Sequence, residues 1–349
     1  MKYSIIVPVF NRPDEVDELL ESLTRQTVRD FEVIVVEDGS QTPCQDICEK
    51  YKDQLDIKYF MKANSGPGQS RNCGVERAEG EYMLILDSDV VLPEGYLQAI
   101  NDELLREPCD AFGGPDRAHH SFTDTQKAIS YSMTSFFTTG GIRGGKKKLD
   151  KFYPRSFNMG IRREVYRRLG GFSKMRFGED IDFSIRIFKA GCKCRLFPGA
   201  WVYHKRRTDF RKFWRQVYNS GIARINLYMK YPESLKLVHV LPMVFTVGVI
   251  GLVLVVFLGI LNYFWGTTHM QQSFGFAAMV YGSLPILLYA LVVLIHSSIL
   301  NKSLKIGILS IRAAFTQLMG YGCGFMEAIW KRMVLQKSEF SAYEKNFYK

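Results

Sequence analysis

Continuous apolar runs alternate with amphipathic stretches through the N-terminal part of the chain. Tyr3–Phe10 (YSIIVPVF) and Phe31–Val36 (FEVIVV) are apolar at successive positions, as expected of strands buried on both faces. Tyr82–Leu86 (YMLIL) reads the same way, and Ile57–Met61 as a shorter strand. Between the first two, Asn11–Gln26 places Val16, Leu19, Leu20 and Leu23 on one helical face, with Asn11 a candidate cap and Pro13 in the first turn. Cys44–Tyr51 and Gly68–Ala78 read as further helices, the second entered through Asn64-Ser65-Gly66-Pro67. This alternation predicts an α/β fold with a mostly parallel sheet and helices on both faces. Ligands of such sheets gather at the carboxyl ends of the strands, where Asn11, Asp38, Asp87 and Asp89 fall.

The second half is less regular. Ser156–Gly170 holds a short strand and a helix, Gly178–Ala190 a helix closed by Gly191, and Cys194–Tyr203 a strand. Gly140–Lys148 (GGIRGGKKK) has the glycine and charge of a surface loop or an active-site lid. Leu241–Trp265 and Phe274–Ile295 contain no Asp, Glu, Lys or Arg, and each is long enough for a bilayer core, which needs roughly 20 apolar residues. Ile306–Ile329 is apolar but carries Arg312, Glu327 and three glycines, Gly320, Gly322 and Gly324, and is expected to be interfacial or re-entrant. The expected organisation is a soluble domain over residues 1–235, two membrane helices over 236–300, and an interfacial helix with a basic tail over 301–349.

Charge orients this arrangement. The loop Gly266–Ser273 has no Lys or Arg, whereas Lys205–Lys236 holds nine basic residues against two acidic ones. The positive-inside rule then places the soluble domain and the tail in the cytoplasm of a multi-pass inner-membrane protein. MKYSIIVPVF has one Lys and no small-residue cleavage site, unlike a signal peptide. A net charge of +11 invites a nucleic-acid reading, but its concentration beside the spans fits anionic lipid head groups instead. The basic, aromatic stretch Tyr203–Pro232, with Phe213, Trp214 and Tyr218, either docks the domain on the membrane or is a solvated connecting helix. Seven cysteines lack any C-x-x-C or zinc-like spacing, so free thiols are expected.

Two acidic sites carry candidate chemistry. Asp87 and Asp89 point to one face while strand geometry lasts, and two carboxylates converging at the ligand edge make a hard oxygen site for Mg²⁺ or Mn²⁺. Acidic residues at a strand end also simply begin turns. Glu179-Asp180 opens a helix, where the dipole favours solvated carboxylates; the functional alternative is a general base for an attacking hydroxyl. No glycine cradle of the P-loop or dinucleotide type is present.

SIIVPVFNR, FEVIVVEDGS, NSGPGQSRNCG, LDSD, FNMGIRREVYRRLGGF and GEDIDFSIR, in this order over about residues 1–231, resemble the family 2 glycosyltransferases. The resemblance implies a GT-A fold, the Rossmann-like nucleotide-diphospho-sugar transferase fold, followed here by the helical membrane part. It implies a nucleotide-sugar site at Pro8, Asn11, Asp38, Asn64, Gly66, Arg71 and Asp87, with Asp38 on the base and Asn72 helping to shape the base pocket. It places Asp87 near the ribose and the metal on Asp89, with His204 either a third ligand or a surface residue. Asp180 is implied as the base, Glu179 as holding the acceptor, and Phe157–Gly160, with Asn158 and Gly160, as lining the sugar pocket on the acceptor side. The polymerising members' Q-x-x-R-W is missing, Phe213-Trp214-Arg215-Gln216 being a different pattern. The expected activity is therefore inverting, metal-dependent transfer of a single sugar, UDP-linked by family habit, to a lipid-linked acceptor such as a polyprenyl diphosphate sugar or to another membrane glycan, in polysaccharide or glycoconjugate synthesis. A two-metal nucleotidyl- or phosphotransferase and a non-catalytic sugar-nucleotide receptor are the competing readings.

Overall fold

The structure is a computed structural model that describes residues 1–117, 122–139, 154–205 and 207–343. The loop expected at Gly140–Lys148 and the end of the basic tail lie outside the described residues. The chain forms two compact units: Met1–His120, Lys148–Lys205 and Glu339–Lys349 make the first, and Ser121–Lys147 with Arg206–Ser338 the second. These segments cut the chain differently from a boundary at residue 235.

The first unit begins β1 (Tyr3–Val9), α1 (Pro13–Thr24), β2 (Phe31–Asp38), α2 (Gln45–Tyr51), β3 (Ile57–Lys62), α3 (Pro67–Glu76) and β4 (Tyr82–Leu86). It continues with β5 (Val90–Val91), α4 (Tyr96–Arg106), β6 (Ala111–Gly113) and β7 (Asp116–Arg117). After α5 (Asp124–Thr134) and α6 (Phe136–Thr139), which belong to the second unit, come β8 (Asn158–Arg162), α7 (Arg163–Leu169), α8 (Glu179–Lys189), β9 (Cys194–Leu196) and β10 (Val202–His204). One sheet has the order β3-β2-β1-β4-β8-β6-β9, and a small second sheet the order β5-β10-β7. Pairing is parallel among β3, β2, β1 and β4, while β8 runs antiparallel to β4 and β6.

The period of two along each strand builds two cores. Ile5, Val7, Val33 and Val35 face Leu19, Leu20, Cys48 and Leu97; Ile6, Ile34 and Val36 face Val75, Val165 and Phe183. A Cβ on Gly74 would come within 2.5 Å of Ile6 Cγ2, so glycine lets α3 settle directly on the sheet. Arg71, one turn earlier on α3, is held at the sheet by that contact.

Two local expectations are corrected. Asn11 is not a helix cap: its φ is +54°, and its Oδ1 accepts from the Gln41 and Thr42 amides at 2.7 and 3.1 Å. Asn tolerates this left-handed conformation, and its amide thereby ties the loops after β1 and β2 together. The expected strand Cys194–Tyr203 is two strands in different sheets, broken around Pro198-Gly199.

The second unit comprises α5 and α6 with α9 (Phe210–Lys230), α10 (Leu237–Trp265), α11 (His269–Asn301) and α12 (Leu304–Ala328). Only α10 and α11, with mean hydropathy 3.0 and 2.3, are long and apolar enough among the described residues to cross a membrane. The glycines of α12 are contact points. Cβ atoms on Gly324 and Gly322 would strike Tyr218 O of α9 at 2.0 Å and Thr246 Oγ1 of α10 at 2.1 Å. Phe213 is fully buried against Ile129 and Met133, so it is unavailable to a lipid interface, whereas Trp214 is exposed.

Glu32 tests the sheet's electrostatics. It is fully buried in β2, where Ser4 Oγ and the Glu79 amide donate to Oε1 at 2.6 and 2.7 Å and Lys58 pairs with Oε2 at 2.8 Å. Burial raises its pKa, but these partners outweigh burial and hold it below the ordinary 4.5. Its stabilisation is therefore full above pH 4.5 and is lost as pH falls through the lower folded value. Glu32→Gln should lower stability in neutral urea melts by roughly 1–3 kcal/mol, and the gap to the parent should close in acid. A gap that stays constant with pH would contradict this.

Candidate active site

β4 delivers its acids to the edge where the parallel strands end. Beyond Leu86 the chain leaves the sheet, and Asp87 and Asp89 turn to different partners. The small sheet then brings in a third group: β5 and β10 pair His204 with Val90, and the Lys205 amide donates to Asp89 O at 3.0 Å. His204 Nε2 thereby lies 3.2 Å from Asp89 Oδ1, with its ring stacked on Phe157 at 4.8 Å. One ligand atom each from Asp87, Asp89 and His204 falls within 4.8 Å of the others.

This donor set fits a divalent cation. Two adjacent octahedral ligands about 2.1 Å from an ion stand about 3 Å apart, close to the spacing of Asp89 Oδ1 and His204 Nε2. Two carboxylates and one imidazole suit Mg²⁺ or Mn²⁺ better than a thiolate-seeking metal. Arg12 Nη1 holds Asp89 Oδ2 at 2.6 Å, which leaves Oδ1 toward the histidine. Burial disfavours the charge on Arg12, but Asp89 outweighs it and raises the guanidinium's pKa.

Arg71 joins the two acidic sites. Its side chain is 4% exposed, its Nη2 lies 2.8 Å from Asp87 Oδ1, and its Nη1 lies 3.1 Å from Glu179 Oε1. Phe172 covers it at 5.2 Å. Burial opposes its charge, and Asp87 and Glu179 reverse that effect and raise its pKa. Burial likewise pushes Glu179 up, against the pull of Arg71. Arg71, implied by the family pattern to reach toward the nucleotide, thus has its guanidinium on the carboxylates Asp87 and Glu179. Asn72 is a clip: Oδ1 accepts from the Phe172 amide and Nδ2 donates to Phe172 O, both at 2.8 Å, fixing the loop that covers Arg71.

The neighbouring residue, Asp180, sits in the first turn of α8, where the helix dipole favours a carboxylate. Its Oδ1 accepts from the Ile181 amide at 2.8 Å, and Arg155 Nη1 lies 3.2 Å from Oδ2. Asp38, at the end of β2, lines a cleft of about 150 Å³ with Pro8, Phe10, Asn64, Gly66 and Arg176. Its oxygens accept from the Ser65 and Gly66 amides at 2.9 Å and from Lys62, so the acid also shapes the loop that forms the cleft wall.

Asn158 and Gly160, implied on the acceptor side, are both buried. Asn158 is buried, accepting from Tyr96 Oη at 2.7 Å and donating to Ala200 O at 2.8 Å. Gly160 lies within β8, where a Cβ would enter the Phe112 ring at 2.0 Å. Arg12, Arg155 and Arg176 escaped the sequence reading, because only the folded chain sets them beside Asp89, Asp180 and the cleft. Arg12, next to Asn11 at a strand end, was the one with a positional signal.

Residues 4–170 match the family model described as glycosyl transferase family 2. A stretch of 93 residues is 44% identical to the poly(ribitol-phosphate) beta-N-acetylglucosaminyltransferase TarS of Staphylococcus aureus, covering 26% of this chain and 16% of that one. Over 235 residues the chain is 27% identical to the chondroitin synthase of Escherichia coli, covering 58% and 34%. The chain thus spans well under two thirds of these relatives' length. Among solved structures it resembles the mannosyltransferase PcManGT of Pyrobaculum calidifontis, in complex with GDP-Man and Mn²⁺, with a TM-score of 0.57, 16% identity, and coverage of 95% of this chain and 88% of that one. That likeness shows the GT-A fold.

The acid cluster makes a direct prediction. Mn²⁺ added to the full chain should show nitrogen coupling in pulsed EPR. His204→Ala should abolish the coupling and weaken Mn²⁺ binding by about tenfold or more. Unchanged coupling in that variant would remove His204 from the site.

Proposed function

We propose, for a chain whose residues 4–170 belong to glycosyl transferase family 2, that it transfers a single sugar from a nucleoside-diphosphate sugar to a membrane-borne glycan acceptor, inverting the anomeric centre. The observation that carries this reading is the Arg71 bridge, which holds the candidate metal acids and the helix bearing Asp180 in one site. A Mn²⁺-bearing neighbour in complex with GDP-Man, and a relative named for N-acetylglucosaminyl transfer, support a nucleotide-sugar donor.

In this reading the nucleoside occupies the cleft of Pro8, Asp38, Asn64 and Gly66, with its base toward Asp38 and Asn11 bracing the floor. Asp87 faces the ribose, and Asp89 with His204 faces the diphosphate. Mg²⁺ or Mn²⁺ bound there supplies the positive charge that a departing diphosphate needs. Arg12, already on Asp89, adds a second cation at the same edge. Asp180 removes the acceptor hydroxyl's proton on the far side of the sugar while Arg155 keeps that carboxylate aimed. Glu179 stays on Arg71 and fixes the first turn of α8 beneath the acceptor. A single displacement from that side inverts the anomeric carbon.

Two apolar helices favour an acceptor that is itself in a membrane, such as a polyprenyl diphosphate sugar. Basic residues of α9 ahead of α10, and their absence between α10 and α11, favour a catalytic unit on the cytoplasmic side. The missing Q-x-x-R-W favours one transfer per acceptor over polymerisation.

With a panel of labelled nucleotide sugars and a membrane lipid extract, Asp89→Ala should abolish metal-dependent turnover, whereas Asp87→Ala should mainly raise the donor KM. Asp180→Asn should lower kcat by roughly 10²–10⁴ with donor binding retained. A product with the donor's anomeric configuration, or nucleotide binding with no transfer to any lipid, would overturn the proposal.

A further inference from the structure

Residues 128–142 contain no Asp, Glu, Lys or Arg across fifteen positions, an unusual run between Lys127 and Arg143. That is too short to span a bilayer and of the length expected for a re-entrant segment. Its described part is α5 from Ala128 onward and α6, and these pack within the second unit against the apolar helices. Asp124 at the start of α5 pairs with Lys305 at 2.9 Å, beside the turn between α11 and α12. From there α5 climbs: Ala128 meets Ile306 and Ala313, then Tyr131 meets Val293 and Ala314. Tyr131 Oη lies 2.9 Å from His296 Nδ1, and Tyr289 Oη donates to Phe137 O at 3.1 Å. Tyr289 is twelve residues before the end of α11 at Asn301, about 18 Å at 1.5 Å per residue, and the next Asp, Glu, Lys or Arg after it is Lys302.

We propose that Ala128–Thr139 is a re-entrant, lipid-embedded element whose tip, Phe136-Phe137, contacts bilayer hydrocarbon. This rests on the reading of α10 and α11 as membrane spans. Two independent features support it. Phe136 is 71% and Phe137 41% exposed, and Leu288 and Val292, next to Tyr289 and Val293 on α11, are 52% and 41% exposed, apolar surface that no other described residue covers. The hydroxyls near that tip are turned inward as hydrocarbon requires: Ser132 donates to Ile129 O, Thr134 to Ser130 O, and Thr138 and Thr139 to Ser135 O. Ser135 Oγ accepts from the Phe137 amide at 3.2 Å, closing the tip. Lipid, rather than a second copy of the chain, is the occupant we assign, because the surface continues onto helices of spanning length.

The test is photocrosslinking of the full chain in phosphatidylethanolamine–phosphatidylglycerol vesicles. Phe136→p-benzoylphenylalanine keeps the aromatic ring, with the same change at Phe137 as a second site. Leu254, exposed on α10, is the lipid control and Leu105, exposed on α4, the water control. The proposal expects lipid adducts at 136 or 137 at a yield comparable to 254 and several-fold above 105. Adducts at 254 with only the 105 level at both tip sites would overturn it while leaving the membrane reading intact. Chain-to-chain adducts from the tip would assign the surface to a second copy and overturn it too. Absence of lipid adducts at 254 would remove the membrane reading, and this inference with it.

Discussion

A buried guanidinium between two carboxylates sets the geometry of the candidate site. Arg71 reaches the end of β4 through Asp87 and the start of α8 through Glu179, elements that the chain order separates by about ninety residues. Its position in turn depends on Gly74, which lets α3 lie on β1, and on Asn72, which fastens the Phe172 loop over it. Removing the cation would leave Glu179, whose side chain is 15% exposed, without the partner that opposes its desolvation. The bridge therefore acts as a spacer between the acids at the sheet edge and the candidate base at Asp180.

Much of this arrangement was legible in the sequence, for physical reasons. The strands β1, β2 and β4 are buried on both faces, so their apolar runs are continuous and unmistakable. Asp38, Asp87 and Asp89 fall at or just beyond the carboxyl ends of β2 and β4, as those runs implied. The partners of the acids were not legible. Arg12 and Asp89 are 77 positions apart, and nothing local marks one for the other. The strands that set His204 beside Asp89 are only two and three residues long, too short for any periodic signal. Arg71 and Asn72 were read as part of a nucleotide loop from the family resemblance, and the long-range contacts of their side chains with Asp87, Glu179 and Phe172 left no local signal.

The second unit shows the same limit in another form. The α12 segment read as an interfacial or re-entrant helix interrupted by Arg312 and Glu327 and dotted with glycines, and those glycines are where the backbones of α9 and α10 come closest to it. Phe213 looked like an interfacial aromatic by its basic neighbours, but it packs on Ile129 and Met133 of α5. Phe213 is covered because α5, distant in sequence, joins the helices that follow residue 206. A hydropathy profile registers burial along a segment and not which segment provides the cover.

The central claim is that Arg71 acts on catalysis by holding Glu179 and Asp87 in register. A double-mutant cycle on sugar transfer measures this directly, using Arg71→Met, Glu179→Gln and the pair. If the bridge is one device, the double variant should lose little more kcat/KM than Arg71→Met alone, with a coupling energy above about 1 kcal/mol. Losses that simply add, with each variant acting independently, would contradict the account.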